Sequence, residues 1–344
     1  VNVSRPGEEK RAAPRAANIR DVARAAGISH QTVSRVINGH ASVRESTRLK
    51  VLAAMEELQF RPSRAARMLV TSRSGIIGVL VSHGAYYGPS SSLAAIESAA
   101  RDAGYLVDIA NVTDDDSITK ALDRLVGHAA EGLIIQAPQF KTLEAIEHLS
   151  IDIPFVTVHS TARLEDHRLS VDQVAGARLA TRHLLELGHR RIVHVTGPKG
   201  WVETGERIRG FRVEMSVWGA EAAEPLVGDW TAESGYRIGK ELLRDGNFTA
   251  VFSSNDQMAL GLIHAFREGG LDVPRDISVV GFDDIPEAAH FLPPLTTVRQ
   301  DFAELGRRCI ALLLADLRGE PETHHRHVVP ELVVRNSAAA PPEG

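Results

Sequence analysis

Over residues 18–60 the apolar positions recur at helical spacing. Asn18 suits a helix cap, Asp21 falls in the first turn, and Val22, Ala23 and Ala26 follow as its apolar positions. Gly27 stops that helix, glycine being the usual residue where the chain must turn left-handed. Ser29 suits the cap of a second helix, His30 to Ile37, with Val33, Val36 and Ile37 inward and Asn38-Gly39 ending it. Ser42-Val43-Arg44-Glu45 has capping-box spacing and predicts a third helix. On it Leu49, Leu52, Met55 and Leu58 recur every third residue, and Val51 and Ala54 widen the stripe. Two short helices around a Gly-containing turn, followed by a third, predict a helix-turn-helix. After Pro62-Ser63, the segment Arg64 to Val70 is too short to stand as a helix, since isolated helices below ~12–15 residues are marginal. It reads as a linker, or as a segment that orders when something docks on it.

From Gly75 the pattern alternates between buried-strand runs and amphipathic helices. Strands are predicted at Ile76–Val81, Tyr105–Ala110, Gly132–Gln136, Phe155–Val158, Ile192–Val195, Ala250–Phe252 and Ser278–Gly281. Helices are predicted at Ser92–Ala103, Ser117–Ala129, Val174–Leu187, Glu206–Trp218, Ala232–Arg244, Asp256–Glu268 and Phe302–Leu317. Apolar strands spaced by helices mean βαβ units and parallel sheets. A TIM barrel has similar length, but an eightfold rhythm is missing, which favours two open sheets. Glu331 to Arg335 fits a last strand, and the NSAAAPPEG tail after it reads as disordered, as does the leader at 1–17.

Composition is that of a globular chain: 43% hydrophobic and 24% charged residues exclude wholesale disorder and fibrous repeats. Apolar runs fall short of the ~20 residues a membrane helix needs. The polar, Pro-rich start lacks an apolar signal core, so a cytoplasmic location is expected. With Cys309 as the single cysteine, neither an intrachain disulfide nor a cysteine-based zinc finger can form. Charge is more informative. Residues 1–74 carry 14 Lys and Arg against 6 Asp and Glu, whereas residues 75–344 carry 25 against 38. A basic head on an acidic body points the head at a polyanion.

The second helix supplies the chemistry for that partner. Gln31 and Arg35 lie four apart on one face, and these side chains pair bidentately with adenine and guanine in the major groove. Ser29, Thr32, Ser34 and Asn38 flank them and suit phosphate contacts, which set position rather than sequence. Enzyme chemistry is not found: there is no GxSxG and no GxxxxGK[ST]. His324-His325-Arg326-His327 reads as a solvated loop, not a metal site, and Asp114-Asp115-Asp116 as a helix N-terminus. Gly281-Phe282-Asp283-Asp284 places two carboxylates at the carboxyl end of a strand, where open α/β sheets bind ligands. No enzyme activity, metal or cofactor is therefore expected.

The stretch NIRDVARAAGISHQTVSRVINGHASVRESTRLKVLAAMEELQFRPSRAARMLV resembles the DNA-binding head and hinge of the lac repressor family. SGIIGVLV, EGLIIQAP, RIRGFR, GDWTAESGYRIGKELL, SNDQMALG and DISVVGFDDIPEAAHFLPPLTTVRQDFAELG extend the resemblance to about residue 336. It implies a helix-turn-helix head at 18–62, a hinge helix and linker at 63–74, and a periplasmic-binding-protein-like body at 75–336. Two doubly wound parallel-sheet subdomains are implied, one at 75–170 and 302–328, the other at 171–301 and 329–336, with a disordered tail at 337–344.

By the same resemblance, a homodimer binds a pseudopalindromic operator in double-stranded DNA and a small-molecule effector, a sugar, releases it from the cleft between subdomains. Leu69 sits where the family inserts an apolar wedge into the minor groove, and Arg64 flanks it. Arg207, Asn255 and Asp283 match hydroxyl-binding positions, and Trp230 a stacking surface. Ser82, Tyr86, Gln136 and Gln300 are further loop candidates. Three departures stand out. His159 falls near the place of an acidic cleft residue in the family's founding member, which points to a different sugar. His30 replaces a tyrosine beside the reading glutamine, which points to a related but altered operator. The founding member's C-terminal leucine-repeat helix has no counterpart after Arg335, which points to a dimer. A solute-binding module without DNA-directed regulation, and a purine-type, corepressor-dependent regulator, stand as alternatives.

Overall fold

The computed structural model describes residues 17–37, 42–60, 73–82, 84–112, 116–159, 169–320 and 327–342. Residues 1–16 of the leader, 61–72 with Arg64 and Leu69, Asn38, Asp114 and Asp115, and His324 to Arg326 lie outside the described residues. The chain divides into two compact units, Val1–Ser74 and Gly75–Gly344.

In the first unit, α1 (Ile19–Ala26), α2 (His30–Ile37) and α3 (Glu45–Glu57) enclose a small core of Val22, Ala23, Val33, Val36, Val51 and Ala54. The start of α1 is closed by a reciprocal box: Asn18 Oδ1 accepts from the Arg20 and Asp21 amides, and the Asn18 amide donates to Asp21 Oδ2 at 3.0 Å. Its end is Gly27 at φ 66°, a conformation only glycine adopts cheaply. The third helix differs from the expectation. It starts at Glu45 with Arg44 in the cap position and no side-chain cap bond, so the Ser42–Glu45 box is not formed. Its inward stripe is Val51, Ala54, Met55 and Leu58, while Leu49 and Leu52 are 58% and 48% exposed. At ~100° per residue, Leu49 lies opposite Val51 and Leu52 falls on the flank of the stripe.

The second unit contains two parallel sheets. The first comprises β1 (Ile76–Ser82), β2 (Leu106–Val112), β3 (Gly132–Gln136) and β4 (Phe155–Thr157), in the order β2-β1-β3-β4. Helices α4 (Tyr87–Asp102), α5 (Asp116–Gly127) and α6 (Phe140–Glu147) connect them. After β4 come β5 (Ser170–Val171) and α7 (Gln173–Glu186). The second sheet then follows with β6 (Ile192–Thr196), α8 (Val202–Val217), β7 (Leu226–Val227), α9 (Ala232–Asp245), β8 (Ala250–Ser253), α10 (Asp256–Glu268), β9 (Ser278–Asp283) and β10 (Thr296–Arg299).

The chain next returns to the first sheet. Leu305, Cys309, Ile310 and Leu313 of α11 (Phe302–Leu317) share a core with Ile77, Val79, Ile96 and Ile134. After β11 (His327–Val328), which pairs with β5, β12 (Glu331–Val333) joins β10 antiparallel and completes the order β12-β10-β9-β8-β6-β7.

Two helices begin earlier than the sequence indicates: α4 at Tyr87 rather than Ser92, and α8 at Val202 rather than Glu206. The tail departs further. Residues 337–342, expected to be disordered, start with a fully buried Ser337 whose Oγ donates to Val279 O at 2.6 Å and accepts from the Thr296 amide at 2.8 Å. The Val279 amide donates to Ser337 O, and the Ala339 amide to Ser278 Oγ. Small side chains let this segment lie flat against strands whose backbone groups it satisfies.

Candidate functional site

Two surfaces carry the candidate residues. On α2, Val33 and Val36 face the core, so His30, Gln31 and Arg35 are exposed, with Thr32 and Ser34 half-buried beside them. Ser29 caps the helix: its Oγ accepts from the Thr32 amide at 3.2 Å and meets Thr32 Oγ1 at 2.9 Å. Gln31 and Arg35 therefore share an open face, backed by a capped and packed helix.

The second surface is a cavity of about 340 Å³ in the body. Its polar lining comes from segments just past the carboxyl ends of parallel strands: Tyr86 after β1, His159 after β4, Trp201 after β6, Trp230 after β7, Asn255 after β8, Asp283 ending β9 and Gln300 after β10. This is where helix N-termini and loops converge in a doubly wound sheet. Of the candidates named from sequence, Tyr86, His159, Arg207, Trp230, Asn255, Asp283 and Gln300 all line it. Ser82 and Gln136 do not. Gln136 is fully buried and donates from Nε2 to Pro89 O at 2.7 Å, so it supports the first turn of α4 beneath the cavity; Ser82 is buried at the end of β1.

The centre is a chain of planar side chains. Arg207 Nε donates to Gln173 Oε1 at 2.9 Å, Gln173 Nε2 to Gln300 Oε1 at 2.8 Å, and Gln300 Nε2 to Asp283 Oδ1 at 2.7 Å. Arg207 Nη2 lies 3.7 Å from Asp283 Oδ1, which closes the ring, and Arg207 Nη1 also donates to Ser254 O. The guanidinium sits over Phe282 at 3.8 Å and near the Trp230 ring at 5.6 Å.

Burial pushes the Asp283 carboxyl up to about 6 against the opposing pull of Arg207 and Gln300, and burial likewise lowers Arg207. Beneath Asp283, burial and the Asp283 charge push Asp256 well above the usual carboxylate range. Asp256 accepts from Thr297 Oγ1 at 2.5 Å and from the Ile285 amide at 2.9 Å. It thereby braces a strained turn, since Asp283 and Asp284 stand at φ 113° and 52°. A Cβ on Gly281 would lie 2.2 Å from Asp256 Oδ1, so this approach requires glycine.

Trp230 is seated in the same way: a Cβ on Gly197 would lie 2.0 Å from its ring. Asn255 accepts from the Met258 amide and donates to Trp230 O and Gln257 Oε1, each at 2.9 Å, so it ties the start of α10 to the tryptophan. Sequence reasoning missed Gln173, Trp201, Glu203, Glu206 and Gln257 as lining residues. Glu203 was hidden by the early start of α8; Gln173 follows the Asp172 cap of α7, a signal that was present. Among the described residues no group of His, Cys, Asp and Glu could hold a metal, and no helix is long and apolar enough to cross a membrane.

Comparison with known proteins assigns a family to each of the two units. Residues 18–63 match the family described as bacterial regulatory proteins, lacI family, and residues 181–338 match the periplasmic binding protein-like domain. Together they define a class: DNA-binding transcriptional regulators with a periplasmic-binding-protein-like body. The lactose operon repressor of Escherichia coli (strain K12) is 35% identical over 325 residues, 93% of this chain and 90% of that protein. The HTH-type transcriptional regulator reg1 of Streptomyces lividans is 36% identical over 94% of this chain and 96% of its own length. The HTH-type transcriptional repressor PurR of Haemophilus influenzae (strain PittEE) is 32% identical over 93% and 98%. Among solved structures, the lac repressor dimer bound to operator and the anti-inducer ONPF superposes with a TM-score of 0.83 at 34% identity, over 95% of this chain and 100% of that one. The transcriptional regulator CelR–cellobiose complex gives 0.69 at 30% identity over 93% and 99%. The chain belongs to the lac repressor family, and its relatives are transcriptional regulators rather than enzymes.

Proposed function

We propose that this regulator is a repressor that binds a pseudopalindromic operator as a homodimer and is released when an uncharged sugar enters the body cavity. The reading rests on the ring of Arg207, Gln173, Gln300 and Asp283 beside the buried Trp230 indole. Fixed planar donors and acceptors next to an aromatic face suit hydroxyls and a sugar's C–H face. In the head, Gln31 and Arg35 read base edges, His30 sits beside them, and Ser29, Thr32, Ser34 and Asn38 hold phosphates. Arg64 and Leu69 keep the roles the resemblance implies, with the head at 18–62, the linker at 63–74 and the body from 75. Sugar and operator then compete through a two-state body, with a coupling of ~1–3 kcal/mol.

The test uses a duplex selected from a random pool by the purified protein. Fluorescence anisotropy follows its release as mono- and disaccharides are added. Release by a sugar supports the reading; tighter binding with hypoxanthine or guanine and no sugar response replaces it with a corepressor mechanism, the reading that the Haemophilus PurR relatives favour.

A further inference from the structure

The chain passes between its two sheets three times: between β4 and β6, between β10 and α11, and between α11 and β12. A fourth connection is not covalent. Helix α6 follows β3 of the four-stranded sheet, and α8 follows β6 of the six-stranded sheet. The residues just before these helices, Gln139 and Trp201, pair antiparallel. The Phe140 amide donates to Gly200 O at 3.0 Å, and the Val202 amide donates to Pro138 O at 2.9 Å. Phe140 and Val202 are the first residues of α6 and α8. A first-turn amide has no acceptor within its own helix, so each helix finds one on the segment that leads into the other.

Side chains reinforce the pairing. Val202 belongs to the helix after β6, yet it is 3% exposed and shares a core with Leu80, Ile135 and Leu143 of the four-stranded side. Trp201, one residue earlier, turns the other way and shares a core with Val195, Trp230 and Ile285. The Phe140 ring reaches across to Gly205, where a Cβ would touch it at 4.0 Å. Two backbone bonds and one buried apolar side chain thus join the two halves of the body. The covalent crossings persist whether the halves are close or apart; these contacts exist only when they are close.

We propose that the Gln139–Trp201 bridge is a clasp that opens and closes as one unit and couples the spacing of the two halves to DNA affinity. The closed clasp binds DNA more weakly, a direction that rests on the release reading above.

Two variants test it in the full chain. Phe140→Pro deletes one bond at little cost to α6. Proline suits the first helical position, and Gln139 already stands at φ −96° and ψ 133°, the extended region that a following proline demands. Phe140→Ala loses the same ring but keeps the amide. The Val202 amide should exchange hydrogen about three- to tenfold faster in Phe140→Pro than in Phe140→Ala, the ratio that one net hydrogen bond supplies. Equal exchange at Val202 means that the two bonds open separately and overturns the clasp. A matching rise at the Ile135 and Val195 amides traces the change to global unfolding and overturns it as well.

Gln139→Cys/Trp201→Cys closes the clasp covalently. The pair lies between the two bonds, a non-hydrogen-bonded antiparallel position with Cα atoms ~4.5 Å apart, inside the ~4.4–6.8 Å that a disulfide spans. The native thiol, Cys309, is buried and pushed up to about 12, so it does not compete. Comparing the oxidised and re-reduced forms of one protein cancels the loss of the Trp201 ring. Anisotropy with the selected duplex should show the oxidised form binding at least about fivefold more weakly. Tighter binding of the oxidised form keeps the clasp and replaces the release reading with the corepressor mechanism. Equal binding, or thiols that do not pair, overturns the clasp and leaves the sugar reading standing.

Discussion

At the scale of single residues, the two surfaces depend on opposite treatments of charge. Asp283 is a carboxyl held in a dry place beside one arginine, at about 6 instead of the ordinary 3.8. Because the folded value lies above the ordinary one, ionising Asp283 costs the ligand-free body stability as pH rises through about 6. The ionised form is also the one that accepts hydroxyls, so effector affinity should fall as pH drops through about 6 and be lost at all pH values in Asp283→Asn. Calorimetric titration across that range checks both. Arg35, by contrast, stands exposed on α2. Arg35→Ala should weaken binding to the selected duplex by ~1–3 kcal/mol and relax discrimination at one base pair. Anisotropy on duplexes altered at single positions reads this, and unchanged specificity removes Arg35 from the reading set.

At the scale of elements, the sequence reveals what is long and apolar. The central strands β1, β3, β6, β8 and β9 are buried on both faces and read as continuous apolar runs. The two-residue strands β5, β7 and β11 have no run to read. Helix starts were legible where a capping side chain marks them, as at Asn18, Thr231 and Asn255. They were illegible at α4 and α8, where Tyr86 and Trp201 occupy the cap position without a side-chain bond. Those two starts bring Tyr87 and Glu203 to the cavity, so the same blind spot hid part of the site. The stripe on α3 misled for another reason: Leu49 and Leu52 match the spacing of a buried face, but Val51, Ala54, Met55 and Leu58 are the residues that pack on the core of α1 and α2. Caps also set element stability. Asn18→Ala removes the side-chain half of the box on α1, leaves the residue-18 amide donating to Asp21, and should cost the head ~0.5–2 kcal/mol, read as faster hydrogen exchange at the Val22 and Ala23 amides.

At the scale of the molecule, the body is held together by pieces distant in sequence. The tail is one: His189 Nε2 meets Ala339 O at 2.8 Å, and Arg335 Nη2 meets Asp284 Oδ1 at 2.6 Å just before it. Truncation after Arg335 removes the six Ser337 and Ala339 bonds and should destabilise the body by roughly 6 kcal/mol, at ~1 kcal/mol per net hydrogen bond. A lowered melting midpoint in calorimetry checks it; an unchanged midpoint makes the segment a passive passenger. The return of α11 to the four-stranded sheet is the other such piece, and it bears on how the protein is made. Strands β1 to β4 leave the ribosome well before α11, yet Ile77, Val79 and Ile134 share a core with Leu305, Cys309 and Leu313, which are synthesised only after the segment from β5 to β10. At ~5–20 residues per second, that sheet waits roughly 8–30 s with an apolar face uncovered. The nascent chain is thus a client for whatever shields apolar surface during translation, and a pause in translation between β4 and α11 would prolong its most aggregation-prone state.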